Sequence, residues 1–142
     1  MNGAVLGLDV GSVRIGVAVC EGENLPAMPL CTIDSVSREK DVRAIVALAA
    51  ERRARTLVVG YPLKLDGSRG PAAENMDKFI AALRKAFDGA VFAADERLTT
   101  AAAKRKLLET GLSGSKRRVM VDRLAAVEIL EGWLAQQRRN TQ

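Results

Sequence analysis

Three short apolar runs open the chain, residues 4–9, 14–20 and 28–33, and Gly11, Gly22, Pro26 and Pro29 interrupt them. Runs of that length, punctuated by glycine and proline, predict strands joined by tight turns. Ser37 then stands where it can cap a helix with Glu39 in its first turn. Val42, Ile45, Val46 and Ala49 recur at helical spacing up to the basic Arg52 and Arg53. "TLVVGYP" lacks polar alternation, as expected of a parallel strand buried on both faces. Gly70-Pro71 starts a second helix, with proline where its missing N–H does no harm, and Met76, Phe79, Ile80, Leu83 and Phe87 form its inward face. "AVFAAD" predicts another strand, "TTAAAKRKLLETG" a helix ended by Gly111, and "SGSK" a link into a last helix from about Arg117 to Gln137. Three strands, helix, strand, helix, strand and two helices describe an α/β fold, a mixed sheet with helices on both faces. A single domain over residues 1–138 is expected, with residues 139–142 as a frayed tail.

With 142 residues, 48% of them hydrophobic, the chain is the size of one ordinary domain with a real core. No run of about 18 apolar residues could span a membrane, and signal-peptide features are lacking at the N-terminus, so a cytoplasmic location is expected. There is no histidine, which removes the usual general base and the usual partner of a serine or cysteine nucleophile. Cys20 and Cys31 form no CxxC pattern, which argues against zinc and for two reduced core residues. Any hydrolysis must then run on carboxylates, lysine or metal-bound water. The net charge of +5 is unevenly placed: residues 1–100 carry 13 basic and 13 acidic groups, residues 101–142 carry 9 and 4. A basic C-terminal segment suggests a polyanionic partner, or else a solubilising helix surface. At 4%, aromatic residues are too few for a base-stacking platform, so contact through the backbone of a nucleic acid is the expected mode.

Asp9 lies inside an apolar strand, where a charge costs free energy unless it is paired or bound to a cation. In open α/β sheets ligands gather at the carboxyl ends of strands, and Asp9 ends the first strand while "DERLTT" puts Asp95 and Glu96 at the end of the last. Asp95 or Thr99 can serve as a helix cap; Glu96 is not explained that way. Asp122 heads the stripe Asp122, Ala125, Ala126, Ile129, Trp133, so it shares a helix face with apolar residues. An acid favoured by the helix dipole is the plainer account of Asp122. Three such anions brought together would repel one another unless a divalent cation compensated them. Mg²⁺ or Mn²⁺ suits an all-oxygen set, and two such ions can drive in-line attack of water on a phosphodiester. Gly7 and Gly11 would then let a metal-bound phosphate approach the backbone, besides shaping turns.

Four stretches, "LGLDVGSVRIGVAV", "VVGYPLKLDGSRG", "DERLTT" and "VDRLAAVEILEGWL", resemble the YqgF family of Holliday junction resolvase-like proteins, also described as pre-16S rRNA nucleases. The likeness covers nearly the whole length. It implies a ribonuclease H-like fold with a mixed sheet of about five strands and metal-dependent cleavage of a nucleic-acid backbone. By position, the family's acidic residues fall on Asp9, Glu96 and Asp122, as catalytic and metal-holding residues. In related resolvases the second carboxylate comes from the fourth strand, whereas here that strand ends in "GYPL" without an acid. Glu96 must therefore reach in from the neighbouring strand, with Asp95 as its possible substitute. Basic residues expected to position phosphates are Arg14, Lys64, Arg69, Lys116, Arg117, Arg118 and Arg123, the last four around the start of the final helix. Arg97 could brace Asp95 or Asp9.

A metal-dependent nuclease acting on precursor 16S ribosomal RNA, in its 5′ maturation, leads these readings, with a resolvase of branched DNA beside it. A module that holds RNA by charge alone predicts steep salt dependence and no metal requirement. The first stretch also looks like the phosphate loop of the actin, Hsp70 and sugar-kinase superfamily, but those proteins close two lobes on ATP and this chain has one. Monomer and homodimer are both open, since paired cuts in a junction want a two-fold dimer.

Overall fold

A computed structural model describes residues 3–97 and the helix 115–140, with side chains of that helix from residue 120 onward. The predicted helix over 99–111, Thr99 as a cap, and the side chains of Lys116, Arg117 and Arg118 lie outside the described residues.

Strands β1 (Ala4–Val10) and β2 (Arg14–Cys20) pair antiparallel, with Asp9 opposite Gly16. The Gly11 N–H donates to the Arg14 carbonyl at 3.0 Å to close the turn, and a Cβ on Gly11 would stand 2.7 Å from that carbonyl oxygen. Gly11 is thus a turn residue, one of the two roles its position suggests. Strand β3 (Met28–Asp34) pairs antiparallel with β2 at the sheet edge, where Pro29, opposite a register shift, removes no interior hydrogen bond.

Helix α1 (Arg38–Glu51) starts as its sequence predicts, with the Ser37 hydroxyl accepting from the Lys40 N–H. Buried Asp41 accepts from the Ser35 hydroxyl at 2.7 Å and the Val36 N–H at 2.9 Å, fastening the preceding loop to the first turn. The helix ends at Arg52, and Arg53, with φ of 57°, turns the chain into β4 (Ala54–Tyr61). Helix α2 (Pro71–Ala86) has proline in its first turn and buries Met76, Phe79, Ile80 and Leu83. Strand β5 (Ala90–Asp95) follows, parallel to β4, which is itself parallel to β1. Helix α3 spans Ser115–Asn140, so it begins two residues before and ends three residues beyond the predicted range.

The sheet order is β3-β2-β1-β4-β5, five strands in a mixed sheet. Alternation along the strands divides the core in two. Leu6, Leu8, Ile15, Val17, Val19, Leu57 and Val59 pack with α1 and α2 on one face. On the other, Val5, Ala18, Cys20 and Val58 meet Ala125, Ala126, Ile129, Leu130 and Leu134 of α3. At the far end of α3, Trp133 packs on Phe92 of β5 with ring centroids 5.3 Å apart.

The α3 side of the sheet is unusually low because three adjacent strands present glycine there. A Cβ on Gly7 would stand 2.7 Å from Leu130 Cβ and 3.0 Å from the Ala126 carbonyl oxygen. On Gly16 it would stand 2.1 Å from the Asp122 carbonyl oxygen, and on Gly60 it would stand 2.6 Å from Ile129 Cδ1. Residues 122, 126, 129 and 130 form one helical stripe, so α3 lies directly on strand backbone along that stripe. The role expected for Gly7, to admit a phosphate, is corrected by this contact: the helix already fills the space.

Candidate active site

Asp9 follows Val5 and Gly7 on the α3 side of β1 and is completely buried. Its neighbours across the sheet are both glycines. Gly16 of β2 is its registered partner, and the β1–β4 register that aligns Leu8 with Val59 brings Gly60 alongside at the next step. Over Gly16 lies Asp122, 4% exposed; over Gly60 lies Glu96, 2% exposed, with Oε2 only 2.5 Å from where a Cβ would be. Adjacent strands are about 4.8 Å apart, so two glycine-floored positions set an acid on each side of Asp9.

Glu96 thus reaches over β4 from the end of β5, in the place where the fourth strand supplies Gly60 rather than an acid. Its N–H donates to the Tyr61 carbonyl at 3.2 Å, which fixes the chain as it leaves β5. The adjacent Asp95 is turned elsewhere. It accepts from the Arg97 N–H and from Arg97 Nε, each at 2.9 Å, and the guanidinium beside it holds its carboxyl below the ordinary range. Of the two partners considered for Arg97, Asp95 is the one it meets. Arg97 also donates to the Leu65 carbonyl at 3.4 Å, tying the end of β5 to the loop that carries Lys64.

The basic residues divide by surroundings. Arg14 donates from Nε to Asp122 Oδ2 at 2.8 Å, a partner 108 positions away that its sequence position did not suggest. Arg69 reaches the Tyr61 hydroxyl at 3.2 Å and pairs with Asp77, whose carboxyl is lowered first by the Tyr61 hydroxyl and then by Arg69. It is therefore a loop fastening as well as a surface charge. Lys64 is exposed, its stem passing over Gly70. Arg123 is half-buried on α3, close enough to Cys31 to offset part of the rise that burial imposes on that thiol. Cys20 and Cys31 are both free thiols, the first buried.

As the side chains stand, no three Asp, Glu or Cys residues among the described residues are close enough together to enclose a metal ion. The elements bring Asp9, Glu96 and Asp122 to one neighbourhood, while Arg14 occupies Asp122. Sequence reasoning missed Gly16 and Gly60. Gly16 lies in the same stretch as Asp9, but only strand register shows that it stands opposite the acid. For Gly60→Ala we expect a folded protein, with its melting midpoint lowered by no more than about 5 °C, because the atoms crowded are side-chain ends that can swing. Glu96 Oε2 is one of them; a crystal structure of the variant should show this carboxylate displaced, and an unmoved Glu96 would contradict the close packing described.

Comparison with known proteins accords with this architecture. By structure, the chain is similar to T. thermophilus RuvC in complex with a Holliday junction substrate, with a TM-score of 0.56 at 14% identity over 94% of this chain and 96% of that one. It is also similar to the fowlpox virus resolvase in complex with Holliday junction DNA, with a TM-score of 0.52 at 8% identity over 95% and 97% of the two chains. These likenesses establish the ribonuclease H-like fold. By sequence, a Myxococcus xanthus protein named "Putative pre-16S rRNA nuclease" is 43% identical over 129 residues, covering 91% of this chain and 85% of the relative. A Clostridium perfringens protein of the same name is 42% identical over 130 residues, covering 92% and 95%. The family described as "RuvX: Holliday junction resolvase" matches residues 3–136, and this chain belongs to that family, also called YqgF.

Proposed function

We propose that this protein is a metal-dependent nuclease that cleaves the backbone of structured nucleic acid, with precursor 16S ribosomal RNA and the maturation of its 5′ end as its task. The observation that carries the reading is the burial of three acids in one neighbourhood, with Asp9 between two glycines that make room for Glu96 and Asp122. Carboxylates crowded out of water repel one another, and such a cost is characteristic of a site that receives a cation. The donor chemistry fits Mg²⁺ or Mn²⁺: oxygen throughout, in a chain without histidine. Asp9, Glu96 and Asp122 would hold the ion or ions, which when bound activate water and offset charge on the leaving oxygen. The chain's own contribution is placement. Asp9 is set by strand register, Glu96 by the Tyr61 carbonyl contact, and Asp122 by the contact of α3 with Gly16.

Backbone phosphates would be met by Lys64 and Arg123, and by Lys116, Arg117 and Arg118 at the start of α3, where helix N–H groups add to side-chain charge. Such contacts carry little sequence information, so the substrate is chosen by its shape. The names of the relatives favour precursor rRNA; the family description favours branched DNA as the second reading.

The test is cleavage of a 5′-extended 16S rRNA fragment and of a four-way DNA junction with Mg²⁺ or Mn²⁺, comparing Glu96→Gln with Asp95→Asn. We expect the first to lose about 100-fold or more in rate, and the second to stay within about threefold of wild type. The reverse pattern would move the second carboxylate to Asp95, and two unimpaired variants would remove both. Binding that weakens steeply with salt while neither substrate is cut under either metal would leave a charge-based RNA-binding module.

A further inference from the structure

Arg14 opens β2 on the same face as Gly16, and its Nε lies 2.8 Å from Asp122 Oδ2. Neither partner is on open surface: the side chains are 17% and 6% exposed. The ion pair therefore borders the acid group itself, one strand away from Asp9 through its partner Gly16. Removing one member of so buried a pair leaves an uncompensated charge, which is far more costly than losing a surface bridge.

We propose that Arg14 is a resident counter-cation for Asp122: it holds this carboxylate while no metal is bound and yields it to a divalent cation, so that guanidinium and metal compete for one ligand. This deepens the proposed function and rests on its reading of the three acids. Arg14 is a positioning residue in this account, acting through Asp122 rather than on the substrate. A guanidinium suits the task because it stays charged at every working pH and presents a fixed planar fork of donors.

The competition is read without nucleic acid, by calorimetric titration of the full chain with Mn²⁺, and by thermal melts in chelator. In Arg14→Gln the metal-free protein is expected to melt about 10 °C lower, while Mn²⁺ binds on the order of tenfold more tightly, the loss of one charge-assisted hydrogen bond to its competitor. Arg14→Lys, which keeps the charge and not the fork, lies between, roughly two- to threefold tighter than wild type, and it carries the test should Arg14→Gln fail to fold. Adding Asp122→Asn to either variant removes the gain. Unchanged or weaker Mn²⁺ binding in the folded Arg14 variants overturns the competition and leaves Arg14 a brace. A wild-type chain that takes up no Mn²⁺ overturns the metal-site reading and this proposal together.

Discussion

Gly16→Ala will destabilise the protein by about 3 kcal/mol, the upper part of the range for forcing extra volume into a packed interior. The added Cβ would meet the Asp122 carbonyl oxygen at 2.1 Å and its carbonyl carbon at 2.5 Å. Those are backbone atoms of a helix, so no rotamer change relieves the clash; α3 must lift from β2 or slide along it. Either movement takes Asp122 from its place over Gly16 and stretches its ion pair with Arg14. Chemical denaturation read by circular dichroism measures the loss. A change under about 0.5 kcal/mol, the ordinary scatter of innocuous surface substitutions, would mean that α3 does not rest on the strand as described. The contrast with Gly60→Ala is informative, since there the crowded atoms are the ends of side chains rather than helix backbone.

Asp9→Asn should split stability from activity. Cleavage is expected to fall by about 100-fold or more, because the proposed function has several kcal/mol of charge stabilisation depend on this carboxylate, and each 1.4 kcal/mol or so is a factor of ten. The metal-free protein should at the same time become more stable, by about 1 kcal/mol, since one of three neighbouring buried anions has lost its charge in an isosteric exchange. Melts in chelator and initial rates with Mg²⁺ on one preparation give both numbers. Retained cleavage would remove Asp9 from the chemistry. A large fall in stability would instead make its carboxylate a structural brace.

Much of the fold was legible in the chain because its determinants are local. Alternation, helical spacing, the Ser37 cap and Pro71 each specify a few adjacent residues, and the structure places β1 to β5, α1 and α2 close to where they predict. The acid stripe on the last helix was legible for the same reason: Ala125, Ala126 and Ile129 are buried along the line headed by Asp122. The pairing of Arg14 with Asp122 was not, because 108 residues separate them and nothing in either neighbourhood announces the other. Gly7 was misread in an instructive way. It reads as space for a ligand, and it is space for Leu130.

By itself, then, the order of residues determined the five strands, the identity of the three acids worth considering, and the absence of histidine from any chemistry the chain performs. Periodicity and residue type act over short stretches, so they can be read without coordinates. Only the tertiary structure decided that Gly16 and Gly60 flank Asp9, that Glu96 rather than Asp95 lies over the sheet, and that Arg14 stands against Asp122. Those facts depend on strand register and on how closely one helix approaches a sheet, which are properties of the whole packed chain.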